Sequence, residues 1–246
     1  MRPLWQGLSL GVVAYLFFML ATAPAAKILS LVQPEGLRAT AVAGSLWSGQ
    51  AAQLALPPLQ LNDVHWQIRP LLLFAGRLSF VVRGQLQGQR IKAHAGVSLL
   101  GNPQLSDVRG RVTAQDLMNL LGLRQVQPGG MLSFVIAEVA WPEAGYPALE
   151  GTVYWWPARI NAPYSLDLGK MQLDTRIEDG VTRGTLNNEG GALSVQAEVE
   201  MHSDGAYRFD ANLQQKGDVP QAVSRFLSTF AEFRDGTYRL EWSDTL

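Results

Sequence analysis

Leu193-Ser194-Val195-Gln196-Ala197-Glu198-Val199-Glu200-Met201, then Ser203-Asp204-Gly205, then Tyr207-Arg208-Phe209-Asp210-Ala211-Asn212-Leu213, is the stretch that decides the fold. Apolar and polar side chains alternate with a period of two through both runs, the pattern of half-buried strands. The Asp-Gly pair between them has the residue preference of a tight hairpin turn. One face of the hairpin is apolar and the other wet, as in an antiparallel sheet with one solvated side. Upstream, Met171 to Ile177 and Val181 to Leu186 flank Glu178-Asp179-Gly180, and Asn187-Asn188-Glu189-Gly190-Gly191 makes the next turn. Residues 171–213 therefore read as a four-strand antiparallel meander.

The first half repeats the pattern with more noise. Leu59 and Leu61 point one way, whereas Val64, Trp66 and Ile68 continue with shifted parity. A bulge at Asn62-Asp63 absorbs such a shift. Leu78–Val82, Ile91–Leu99, Val108–Val112 and Leu132–Ile136 are further strands. Two helices interrupt. Thr113-x-x-Asp116 resembles a capping box ahead of Leu117, Leu120 and Leu121, and Gly122 is the stop. The second helix is expected from about Val219 to Phe233, capped by Asp218 with Pro220 in its first turn. Val223, Phe226, Leu227 and Phe230 make its apolar stripe, expected to pack on the sheet. Thr237 to Trp242 is a last strand.

At the other end of the chain, Leu4 to Ala26 carries no charged residue. As a helix it spans roughly 35 Å, about one bilayer core, with Trp5 at interfacial depth. The competing reading is a cleaved signal peptide, for which Ala23-Pro24-Ala25 gives an A-x-A pattern. Pro24 directly after the cut, and the length of the run, favour an uncleaved anchor. Lys27 and Arg38 balance Arg2, so the charge rule for orientation is nearly silent. Because the segment also looks like an export signal, the expectation is residues 1–3 in the cytoplasm, 4–26 across the membrane and the rest outside. Gly7 and Gly11 form a G-x-x-x-G face, the spacing that lets a second membrane helix approach closely.

Beyond the anchor, about 220 residues suffice for one large β domain or two small ones. Gly44-Ser45-Leu46-Trp47 with Ala51 resembles Gly151-Thr152-Val153-Tyr154 with Ala158, at an offset of 107 residues. This short match reads as a duplicated β unit, with a boundary at Gln127-Pro128-Gly129-Gly130: 27–126 as the first unit and 127–246 as the second. The expected class is mainly β: an N-terminal membrane helix, then twisted antiparallel sheet with two short helices.

Composition excludes several chemistries. The formal net charge is -1 and there is no cysteine, which removes disulfides, thiolate metal sites and cysteine nucleophiles. No basic cluster of the kind nucleic acid requires stands out. His65, His94 and His202 are scattered, without zinc spacing, and no nucleophile elbow or Walker loop occurs. Glu198 and Glu200 share a strand face; such a pair can do acid–base work when burial separates the two pKa values, but is ordinarily a solvated surface. No catalytic residue, cofactor or metal is expected. Trp155 and Trp156 are adjacent, so in a strand they face opposite ways, and one of them must meet a second layer, a partner or solvent. They form the candidate interaction surface.

These residues together resemble a family. Gly44-Ser45-Leu46-Trp47-Ser48-Gly49-Gln50-Ala51 forms a G-x-[LV]-W-x-G-x-A block after a short anchor. Trp66-Gln67-Ile68-Arg69-Pro70 and Leu71 to Leu78, which includes Gly76, follow it, and a second tryptophan-bearing block starts near Gly151. The pattern resembles the type II (general) secretion system protein N family over essentially the whole length. The resemblance implies a single-pass inner-membrane accessory component, mostly periplasmic, that supports export across the outer membrane without catalysis. It implies contacts with other inner-membrane subunits, including protein C. The motif residues Gly44, Trp47, Gly49, Ala51, Trp66, Gly76 and Gly151 are structural in that reading. The alternative is an AsmA-like lipid-binding or lipid-transfer module, a similarity of architecture only. It requires a continuous apolar concave face left uncovered.

Overall fold

The computed structural model describes residues 22, 24–27, 36–57, 59–68, 77–98, 103–123, 125–142 and 144–245. Fifteen strands form one sheet: β1 Arg38–Thr40, β2 Ala43–Gly44, β3 Ser48–Leu56, β4 Leu59–Ile68, β5 Arg77–Leu86, β6 Gln89–Ser98, β7 Pro103–Thr113, β8 Gln127–Ala140, β9 Ala148–Ala162, β10 Leu166–Glu178, β11 Val181–Glu189, β12 Leu193–Met201, β13 Ala206–Gln215, β14 Glu232–Arg234 and β15 Thr237–Thr245. From β3 to β13 every strand pairs antiparallel with the next in sequence. β15 then pairs with β13, and β14 lies outside it, so the sheet is open. Hydrogen bonding continues across residues 126/127, because β7 pairs with β8 from Leu105↔Val139 to Thr113↔Met131. Three two-residue connections place both residues at positive φ, Gln87-Gly88, Asp179-Gly180 and Asp235-Gly236, the geometry of type I′ hairpins.

Directly paired residues share a sheet face, so the register can be read across the whole width. One row runs Gly84–Ile91–Gly110–Phe134–Val153–Leu173–Leu186–Ala197–Ala211–Leu240, from β5 to β15. No polar side chain interrupts it. The row beside it is polar almost throughout. The sheet curls toward its apolar face: Leu149 N–H donates to Thr182 Oγ1 across β10 (3.0 Å), and Tyr146 N–H donates to the Ser203 carbonyl across β10 and β11 (2.8 Å).

A curled single sheet must fill its own concavity. Ala158, Leu166, Leu168, Met171, Leu193 and Val195 from β9, β10 and β12 form the core, closed by Leu227 of α2, Gln221–Phe230. Toward the N-terminal edge the ring of Trp66 lies across Gly49, where a Cβ would sit 2.3 Å from the indole. Only glycine gives the ring that space. Asn188 ties β10, β11 and β12 together, its Nδ2 donating to the Leu168 and Leu193 carbonyls (2.8 and 2.7 Å) and its Oδ1 accepting from Val195 N–H (2.6 Å).

Several expectations hold and some are corrected. β10 to β13 are the meander read at 171–213. The bulge stands at Asp63, φ 51°, where the β4–β5 register shifts. Thr113 caps α1, Ala114–Leu120, by accepting from Asp116 N–H at 3.1 Å. The second helix, however, stops at Phe230, and Glu232–Arg234 is strand, because pairing with Thr237–Arg239 satisfies its backbone better than another helical turn. Pro220 stands at the N-cap and no side chain caps the helix, so Asp218 does not. Leu227 and Val223 of the expected stripe pack on the core, whereas Phe230 is 55% exposed. Among the described residues no helix is long and apolar enough to cross a membrane. Of the apolar run, residues 4–21 and 23, with Gly7 and Gly11, lie outside the described residues, as does Gly76.

Candidate functional site

The tryptophan pair divides as β geometry demands. Trp155 faces inward, packs against the core and donates its indole N–H to the Gly129 carbonyl at 2.8 Å. Its ring is partly buried on the core side of β9. Trp156 faces outward and is 64% exposed. The described motif residues lie within or beside strands of the sheet. Ala51 is buried, Trp47 offers its carbonyl to Ile68 N–H at 2.8 Å, and at Gly151 a Cβ would sit 2.5 Å from the Val135 carbonyl oxygen. Gly44 has φ 94°, whereas Gly151 lies mid-strand in β9 without that constraint, so the two matched blocks occupy different settings.

The outer face has an electrostatic order that no single strand reveals. Its row runs Gln50–His65–Arg83–Lys92–Arg109–Val135–Thr152–Asp174–Thr185–Glu198–Asp210–Glu241. Basic groups fill β4 to β7 and acidic groups β10 to β15. The sequence has no basic run, but residues 1–126 hold 11 Lys and Arg against 4 Asp and Glu, and residues 127–246 hold 9 against 17. Pairing register assembles this local patch from one residue per strand. In the flanking rows Arg183, Arg208 and Arg239 pair with Glu200, Asp210 and Glu241, so the basic part is the less compensated one; such charge suits orientation of a partner more than raw affinity.

Asp107 organises the basic part. It occupies a bulge, φ 49°, where β6–β7 register shifts, which turns its carboxylate onto the outer face. Arg109 Nε donates to it directly, while Lys92 Nζ and His94 Nδ1 stand at 3.6 and 3.7 Å. The hydrogen bond from Arg109 is the main reason its pKa lies below the ordinary carboxylate value; partial burial opposes the shift, and the nearby cations reinforce it. A lowered folded-state pKa gives stabilisation complete above the ordinary value of about 3.9 and lost as pH falls through the lowered one. NMR titration of the Asp107 carboxyl should give a midpoint below that value, and Arg109→Gln should move it upward.

The remaining candidates for chemistry stay apart. His65 pairs with Asp63 (3.2 Å), His94 lies by Asp107, and His202 precedes the β12–β13 turn. Glu198 and Glu200 project from the outer face, the latter bridged to Arg183 at 3.2 Å, as a solvated surface pair does. No three His, Asp or Glu side chains among the described residues converge on a point that could hold a metal. A depression of about 620 Å³ is an open trough on the outer face lined by Thr185, Asn187, Glu198, Arg208, Asp210 and Arg239. It lacks the apolar lining of a small-molecule pocket. In the C-terminal half the concave face is filled by the chain's own side chains, Leu227 among them, which disfavours the lipid-carrier alternative.

An open meander sheet, filled from within and charged and hydrogen-bonding outside, defines a β-sheet surface protein, not a pocket protein. The chain belongs to the type II secretion system protein N family: the model of type II secretion system (T2SS), protein N matches residues 35–241. It is similar to the type II secretion system protein N of Vibrio cholerae serotype O1, 28% identical over 215 residues, 83% of each chain. That of Pectobacterium carotovorum subsp. carotovorum is 26% identical over 227 residues, covering 89% of this chain and 87% of its own. That of Aeromonas hydrophila is 27% identical over 234 residues, 89% of each. No solved structure matches the chain. The family makes it a component of type II secretion, and a component of a multi-subunit machine has other subunits as its partners.

Three features are not evident in the sequence: the charge order, the inward turn of Trp155 and the open outer edge of β15. The first had a signal, since His65, Arg83, Lys92 and Arg109 each sit at polar positions of alternating runs. The third had none.

Proposed function

We propose that the chain is a non-catalytic accessory component of the type II machine, held in the inner membrane by residues 4–26 with its sheet in the periplasm. It acts by binding other inner-membrane subunits, protein C being the first to test. The observation that carries this reading is the free edge of β15. β14 covers only Thr237–Arg239, so among the described residues the outer backbone groups of residues 240–245 have no strand partner. Such an edge accepts an extended segment through main-chain hydrogen bonds. The N-terminal edge is blunted instead, because β1 and β2 each cover part of β3. Outward Trp156 is a second contact point, and Gly7 and Gly11 are the face for packing between membrane helices.

The test is deletion of the gene, with secretion of a type II substrate measured, together with photoreactive residues at Ser243, Trp156 and Gly7 in intact membranes. Reduced secretion with adducts from Ser243 to inner-membrane subunits of the machine is the expected result. Normal secretion and an undisturbed complex in the deletion strain would sink the proposal.

A further inference from the structure

Deepening the anchored reading, on which it rests, we infer that one rim of the sheet lies on the bilayer surface, with Val97, Trp141 and Tyr146 at headgroup depth. Pro24, near the end of the apolar run, forms a β-bridge with Ser45, and Lys27 N–H donates to the Pro24 carbonyl at 3.2 Å. Ala25, next to the bridge, is buried. The run therefore meets the sheet at a defined place, beside the start of β3. Register shows which strand ends share that place. Trp47 bonds Ile68 at the end of β4; Ile68 pairs with Phe80, Phe80 with Ala95, Ala95 with Leu105 and Leu105 with Val139. Two residues further along, the same rim ends in Val97 and Trp141, and Tyr146 follows in the β8–β9 connection.

These are the side chains that rim should carry if it faces lipid. Val97 is 39%, Trp141 48% and Tyr146 41% exposed, although all are large and apolar in part. Tryptophan and tyrosine favour the membrane–water boundary, where the ring leaves water and the N–H or O–H stays hydrated. The Tyr146 backbone is fixed by its bond to Ser203, so the ring is presented rather than loose. The opposite rim also exposes apolar groups, Leu59, Leu121 and Leu123, but the described end of the apolar run is bridged to Ser45 on the other rim. The acidic turn at Glu178-Asp179 marks where the membrane-facing rim leaves the surface, because carboxylates avoid anionic lipid, and Ser203, bonded to Tyr146, stands at that boundary. Contact is therefore confined to the ends of β6 to β9, and it is apolar, so salt should not weaken it.

The natural absence of cysteine makes the test clean. The full chain is reconstituted in phosphatidylethanolamine–phosphatidylglycerol vesicles with a fluorophore at a single cysteine: Val97→Cys, Ala144→Cys, Leu59→Cys on the opposite rim, or Leu16→Cys in the apolar run. Quenching is read with nitroxide lipids labelled in the headgroup or the acyl chain. Headgroup quenching at 97 and 144 should exceed that at 59 by about fivefold or more, unchanged at high salt. Trp141→Ser with Tyr146→Ser should reduce it at 97 severalfold. Acyl-chain quenching at 16 with none at 97 and 144 overturns this inference and leaves the anchor standing. Absence of quenching at 16 overturns both. Equal quenching at 59 and 97 means the sheet lies flat and also overturns it.

Discussion

Gly130→Ala should destabilise the protein by about 3 kcal/mol or more and lower Tm by roughly 6–12 °C, if unfolding is cooperative. Gly130 sits in β8 at φ 92°, a conformation that disfavours a side chain by about 1–2 kcal/mol on its own. Steric contact costs more: a Cβ there would stand 2.0 Å from the Pro157 carbonyl oxygen, on the neighbouring strand β9. Neither strand can yield easily. β8 is held on both sides by β7 and β9, and the indole of Trp155 is bonded to the Gly129 carbonyl one residue away. Gly88→Ala is the control, because Gly88 has φ 78° but no atom within 4 Å of the added methyl. It should show the cost of the backbone conformation alone, about 1 kcal/mol. Thermal unfolding of both variants separates steric clash from backbone strain. Equal shifts would mean that β8 and β9 move apart freely, against the hold that β7, β9 and the Trp155 bond exert on β8.

Leu227→Ala is the second large effect, about 3 kcal/mol. Leu227 is 6% exposed and meets side chains of β9, β10 and β12 from the concave side. No second sheet stands behind it, and among the described residues no large side chain is completely enclosed. Truncating the plug therefore removes its own burial and opens the concavity it closes. Phe230→Ala, one turn further along at 55% exposure, should change stability by less than about 1 kcal/mol. Urea denaturation distinguishes them through the midpoint and slope. A Leu227 variant as stable as the parent would show that the concave face does not depend on α2.

Much of this was legible because alternation is a local signal. From Leu193 to Leu213 each residue's face follows from its neighbours alone, and the structure keeps that assignment. The bulge at Asp63 was equally readable, since the apolar parity slips there. The Thr113 cap needs only residues three apart. β3 and β9 were harder. Ala51-Ala52-Gln53-Leu54-Ala55-Leu56 is apolar nearly throughout, and Trp155-Trp156-Pro157-Ala158 breaks alternation at a register irregularity. The second helix was over-extended at its C-terminus because Glu232–Arg234 gains its partner only when Thr237–Arg239 folds back.

The sequence by itself determined the strand-by-strand alternation, the two helices and the apolar N-terminal run, since each depends on residues within a few positions of one another. With its motif blocks it also carried the resemblance to the family. Tertiary structure alone decided that the strands join one open sheet, that the sheet curls onto its apolar face, and that Trp155 turns inward while Trp156 turns out. It alone aligned His65, Arg83, Lys92 and Arg109 into one basic row and left the outer edge of β15 uncovered. The physical reason is common to all of these: pairing register and curvature are set by hydrogen bonds and packing between residues tens of positions apart, which no local pattern encodes.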